Sequence, residues 1–108
     1  MRYLILSDIH ANQEALAAAL EQASGAWDTV LCLGDTVGYG ADPNACAEFV
    51  RTKIQHVVRG NHDKACAGLD DLEWFNAAAR ASALWTQQVM RTENMDWLRQ
   101  LPKGPIVL

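Results

Sequence analysis

The sequence predicts an α/β fold, with a βαβαβ parallel sheet followed by C-terminal helices. Three observations predict it. Arg2–Leu6 and Thr29–Leu33 are continuous apolar runs rather than alternating ones, and Ile54–Val58 is a third strand-like run. Such runs suit strands of a parallel sheet, covered on both faces. Segments of helical period separate the runs, and each run ends in a polar cluster.

The elements follow in order. Arg2–Leu6 stops at polar Ser7-Asp8. Asn12 suits a helix N-cap, and Leu16, Ala19, Leu20 and Ala23 recur at helical spacing until Gly25 stops the helix. Thr29–Leu33 stops at Gly34-Asp35. Asp42 reads as a cap with Pro43 in the first helical position, opening a helix to about residue 53. Ile54–Val58 runs into Arg59-Gly60-Asn61-His62-Asp63. Two Ala-, Trp- and Leu-rich helices are expected over about 71–90 and 92–101, before Pro102 and Gly104-Pro105 break them. Ile106-Val107-Leu108 reads as the start of a fourth strand.

The 108 residues make one domain, and a 50% hydrophobic content supplies its core. No apolar run approaches the roughly 18–20 residues needed to span a bilayer, so no membrane association is expected. The N-terminus lacks a basic region followed by a cleavage site, and a cytoplasmic protein is expected. Cys32, Cys46 and Cys66 form no CxxC pair and read as small buried hydrophobes. A net charge of −4 with scattered Arg and Lys argues against a broad nucleic-acid surface.

The chemistry gathers at the strand ends. In an open parallel sheet, ligands bind in the crevice outside the carboxyl ends of the strands. Asp8, His10, Asp35, Asn61 and His62 are therefore expected to converge there. Carboxylates, imidazole and an amide oxygen suit Mn, Fe, Zn or Ni rather than thiolate-bound copper. Without a cation, Asp8 and Asp35 would repel each other. Two divalent cations would outweigh them and attract phosphate to an acidic protein. Gly34 and Gly60 are expected to let the backbone turn so that the next side chain points into the crevice. A lone Asp after a strand reads as a turn former and a lone His as structural. Three strand ends that all carry ligand-type residues read as a site.

D-x-H at Asp8 and His10, G-D at Gly34-Asp35 and G-N-H-D at Gly60–Asp63 resemble, in order and spacing, the first three signature blocks of the calcineurin-like metallophosphoesterases. The strings SDIHAN and GDTVGYGADPN are similar to the small bacterial and archaeal phosphodiesterase branch. The resemblance implies the first half of an αββα four-layer sandwich and two divalent metal ions. It implies that Asp8 and His10 bind the first metal, that Asp35 bridges, and that Asn61 binds the second. Asn61 and His62 would touch the substrate. His62 would be the catalytic imidazole that stabilises phosphoryl oxygens or protonates the leaving alkoxide. The implied reaction is in-line attack by a metal-bridging hydroxide on a phosphodiester or phosphomonoester, with a small phosphoester or nucleotide as substrate.

Two departures qualify the resemblance. Where family protein phosphatases carry a second Asp and a phosphate-gripping Arg, this chain has Gly38 and Tyr39. Asp63 is given no orienting role, because neighbouring side chains need not meet. The family's second half adds further metal-binding histidines, whereas the histidines here are His10, His56 and His62 alone. The chain by itself is therefore expected to be weakly active or inactive. One sheet face is expected to be bare and apolar, inviting a homodimer. A non-catalytic binding or scaffold protein on the same fold is the alternative. A dinucleotide- or P-loop-type nucleotide domain is disfavoured by the absence of both glycine signatures.

Among the remaining residues, Trp74, Phe75 and Trp85 read as packing residues, with contact to substrate at the site mouth as the other reading. Trp97, Leu98 and Leu101 read as the packing face of the last helix. His56 reads as structural, Arg59 as an ion-pair or solvent residue, and Asn44 as a cap or a residue behind the site.

Overall fold

A computed structural model describes residues 1–108. Three parallel strands, β1 (Tyr3–Leu6), β2 (Thr29–Cys32) and β3 (His56–Val57), form one sheet in the order β1-β2-β3. Tyr3 pairs with Thr29 and Leu31 with His56. The strands are shorter than the apolar runs that announced them. Leu33 and Val58 still bond backward to Leu6 and Cys32, but beyond them the chain turns into the loops of the site.

Helix α1 (Gln13–Gln22) follows β1, and the Asn12 side chain accepts the Ala15 N–H as its cap. Helix α2 (Pro43–Lys53) follows β2, with Pro43 in its first turn. Asp42 precedes it but makes no side-chain cap bond. A short helix, α3 (Asn61–Cys66), begins inside the polar cluster after β3, where no helical period is visible among the residues. The helix expected over 71–90 is only α4 (Ala77–Val89), because Asn76 caps it by accepting the Ala79 N–H and the chain before it turns. Helix α5 (Thr92–Gln100) completes the chain of elements. Residues 106–108 form no strand.

All the helix packing lies on one face of the sheet. Leu4, Leu6, Val30, Cys32 and Val57 alternate onto that face and join a core with Leu16, Val50, Met95 and Leu98. The core is built of small residues: Ala47, Ala65, Cys46 and Cys66 are fully enclosed, and Leu98 is the largest side chain completely buried. Small side chains let α2, α3, α4 and α5 approach closely. All three cysteines are buried and free, as expected. The opposite face is bare: Tyr3, Ile5 and Leu33 are exposed, and Leu31 is only half-buried. Ile106 and Leu108 lie beside Leu31 and Val58 at the edge of this face, leaving a groove.

Asn44 is neither an α2 cap nor a residue behind the site. It clamps the α4–α5 junction, donating from Nδ2 to Val89 O at 2.8 Å and accepting the Arg91 N–H at 2.8 Å. Trp74 is not a core residue either, since 88% of it is exposed. Leu98 and Leu101 are buried and Trp97 packs on the core, as expected for the last helix. No helix is long and apolar enough to cross a membrane.

Candidate functional site

The turns after β1 and β2 continue the sheet's hydrogen bonding past its end. Asp8 N–H donates to Gly34 O at 3.0 Å, His10 N–H to Asp35 O at 2.9 Å, and Ala11 N–H to Thr36 O at 2.9 Å. These bonds hold the two turns side by side. Asp8, His10 and Asp35 all adopt left-handed backbone, at φ of 56°, 49° and 56°. Side-chain-bearing residues rarely do so, and such strain concentrates where a site must aim its groups.

The end of β3 reaches the same place. A Cβ on Gly60 would lie 2.1 Å from Asp35 Oδ1 and 2.4 Å from Asp35 N. A Cβ on Gly34 would lie 2.6 Å from Gly60 N. The two glycines therefore permit close contact between strand ends as well as a turn. That contact lets the His62 N–H donate to Asp35 Oδ1 at 3.0 Å.

Asp63 ties the three segments together. It is fully buried, and its carboxylate accepts the N–H groups of Asp35 at 2.9 Å, Gly60 at 3.0 Å and Val37 at 3.1 Å. Burial pushes its carboxyl up to about 6, against the three N–H bonds that favour the charged form. This residue was missed as a site builder. Its only sequence signal was its place three residues after Gly60, where an acidic side chain can reach back to a helix's first N–H. Ser7 was missed as well. Its hydroxyl donates to Asp8 Oδ2 at 2.6 Å and is the leading cause that lowers the Asp8 carboxyl.

The predicted residues converge as follows. His10 Nε2 lies 3.5 Å from Asp8 Oδ1 and 3.8 Å from Asp35 Oδ2. Donor atoms of His10, Asp35 and His62 all lie within 4.8 Å of one another. His62 sits edge-on to His10, with ring centres 4.9 Å apart. Burial lowers the His62 imidazole from its ordinary value, while nearby Asp35 acts to raise it. Asn61 is exposed at the start of α3 and lines a small cleft with His62, Tyr39 and Phe75. His56 lies away from the cluster, in β3.

The donor set fits a divalent cation. His10 Nδ1 faces Val37 O at 3.1 Å, and a carbonyl can only accept, so Nδ1 carries a proton. With Nδ1 turned to the carbonyl, Nε2 is the ring nitrogen that faces the two carboxylates. A divalent cation could be held among these atoms, and a carbonyl behind the ring is how ligating histidines are held. Asp35 Oδ1 accepts the His62 N–H, and Oδ2 faces His10.

The calcineurin-like phosphoesterase family profile matches residues 1–105. The chain belongs to that family. It is similar to an uncharacterized protein of Methanocaldococcus jannaschii, at 42% identity over 99 residues, which is 91% of this chain and 41% of that protein. Among solved structures, a metallophosphoesterase from Sphaerobacter thermophilus superposes with a TM-score of 0.82 at 44% identity, covering 99% of this chain and 44% of that one. The crystal structure of "a putative diadenosine tetraphosphatase" gives a TM-score of 0.73 at 27% identity, covering 94% and 43%. This calcineurin-like phosphoesterase chain thus spans less than half the length of the relatives it matches. Its parallel sheet and helices correspond to the N-terminal half of that fold.

Proposed function

We propose that this chain carries the first half of a metal-dependent phosphoesterase site, acting on a small phosphodiester or phosphomonoester, nucleotides included. The observation that carries this reading is His10 Nε2 facing Asp8 Oδ1 at 3.5 Å and Asp35 Oδ2 at 3.8 Å, with Nδ1 held by a carbonyl. Asp8 and His10 would hold one ion, Asn61 a second, and Asp35 would contribute to both. Manganese is the metal chosen for testing. When bound, such ions neutralise phosphoryl charge and lower the pKa of water.

The chain's own groups then have separate tasks. Asp35 keeps its position because the His62 N–H fixes one of its oxygens. Burial lowers the His62 imidazole from its ordinary value while Asp35 beside it acts to raise it. The ring N–H of His62 donates to a phosphoryl oxygen or to the departing alkoxide. Asn61, beside it in the small cleft, orients the substrate through its amide. Tyr39 carries no positive charge to grip a phosphoprotein phosphate, which favours small substrates.

The remaining metal ligands are assigned to the part of the relatives that lies beyond the match. The chain alone is therefore expected to bind manganese and to hydrolyse bis(p-nitrophenyl) phosphate slowly or not at all. Measurable manganese binding, lost in Asp35→Asn, supports the site. Unchanged metal stoichiometry in that variant overturns the role of Asp35. Robust turnover by the purified chain overturns the assignment of missing ligands.

A further inference from the structure

Tyr39 has an exposed ring on a fixed backbone. The residue is 51% exposed, yet it holds left-handed backbone at φ 64°. Its N–H donates to Ser82 Oγ on α4. Next to it, the Gly40 N–H donates to His10 O at 3.1 Å, and a Cβ on Gly40 would lie 2.2 Å from that oxygen. Both sides of Tyr39 are thus pinned, one to a helix and one to the turn that carries His10. A side chain that served the core would be buried. This one holds a strained left-handed backbone and still faces solvent.

The ring stands over the candidate metal cluster. Its centre is 5.2 Å from the His10 ring and 4.8 Å from the His62 ring. It also divides two clefts. On one side is the small cleft with His62 and Phe75, whose rings lie 5.1 Å apart. On the other is a cleft of about 760 Å³ that runs from Asp8 and His10 along α1. Ile9, Leu16 and Ala19 give this larger cleft an apolar wall, and Asn12 and Asp42 give it a polar rim. That volume falls in the range of small-molecule sites, roughly 300–1,000 Å³. An apolar wall, an exposed ring face and a few polar groups beside a phosphate site suit a flat heterocycle.

We propose that Tyr39 is a specificity-determining residue, stacking on a planar aromatic ring carried by the phosphoester while the Asp8, His10 and Asp35 cluster holds the phosphate. The chemical class selected is a nucleobase- or aryl-bearing phosphate ester over an aliphatic one. This rests on the phosphoesterase reading above.

The test is calorimetric titration of the manganese-loaded chain with adenosine 5′-monophosphate and with ribose 5-phosphate, which share a phosphate and a sugar and differ by the base. Base-on-aromatic stacking leads us to expect about tenfold tighter binding of the nucleotide. Tyr39→Phe keeps that preference, and Tyr39→Ala erases it. Tyr39→Leu, which keeps bulk and loses the ring, erases it as well and serves if the alanine variant does not fold. Equal affinities in the unaltered chain overturn the inference and leave the phosphoesterase reading standing. A preference that survives in a folded Tyr39→Ala or Tyr39→Leu chain overturns the role of Tyr39. If neither compound binds, the phosphoesterase reading falls and takes this inference with it.

Discussion

At the strand ends, Asp8, His10, Ala11, Asp35 and Tyr39 all hold left-handed backbone, and they are the chain's only non-glycine residues to do so. A few ångströms below, the helices are regular and the core is alanine, cysteine and valine around Leu98. The rim spends conformational energy to aim a few groups. The interior gains stability from close contact among small side chains and aims nothing. Asp63 belongs to both, because it is buried in the interior and holds up the rim through three N–H groups. Stability and metal binding should therefore be separable everywhere except at Asp63.

The largest effect is expected at that junction. Asp63→Ala leaves three N–H donors without their acceptor, at ~1–3 kcal/mol for each one that water does not reach. A loss of about 3 kcal/mol or more in a urea melt is expected, together with loss of manganese binding in titration. A variant that loses stability but keeps its metal would show that the rim stands without this carboxylate. Leu98→Ala should cost nearly as much, about 3 kcal/mol, by opening a cavity in the fully buried core. Here the metal affinity of the folded fraction should stay within twofold. A larger change would mean that core and rim are one unit.

Asp35→Asn is the converse case. An asparagine Oδ1 can still accept the His62 N–H, so stability should change by less than about 1 kcal/mol. Metal affinity should fall at least about tenfold, as read by manganese titration. The remaining effect concerns pH and belongs to the interior. Burial pushes the Cys66 thiol up to about 12, above its ordinary value of 9.0. A raised pKa in the folded state means a contribution fully present below about pH 9 and lost as pH rises toward 12. Urea midpoints at pH 8 and pH 10.5 should therefore differ less in Cys66→Ala than in the unaltered chain. An equal difference in both would remove this thiol from the alkaline loss.

The comparison also explains what could be read in advance. The strands, α1, α2 and α5 were legible because burial against one core imposes apolar runs and helical spacing, and Asn12 and Pro43 marked two starts. The convergence of Asp8, His10, Asp35 and His62 followed from parallel topology alone, since equivalent ends of neighbouring strands must meet. Helix α3 was not legible, because six residues are too few to show a period. The inward turn of Asp63 was hidden by its neighbour His62, although consecutive helical side chains point in different directions. Trp74 misled because composition implies burial for tryptophan, while its position before the Asn76 cap leaves it outside. The bond from Tyr39 to Ser82 spans 43 residues, and no local pattern encodes it.

The bare face of the sheet has a consequence for how the native chain looks to a solution probe. Tyr3, Ile5 and Leu33 form rigid apolar surface on a folded structure. Dyes such as anilinonaphthalene sulfonate brighten on surface of that kind, and their brightening is ordinarily taken as the mark of a loosened, partly folded protein. In this chain the dye should brighten while the near-ultraviolet dichroism of the packed aromatic residues stays intact. Fluorescence here gauges how much of the sheet is covered rather than how much of the protein has come apart.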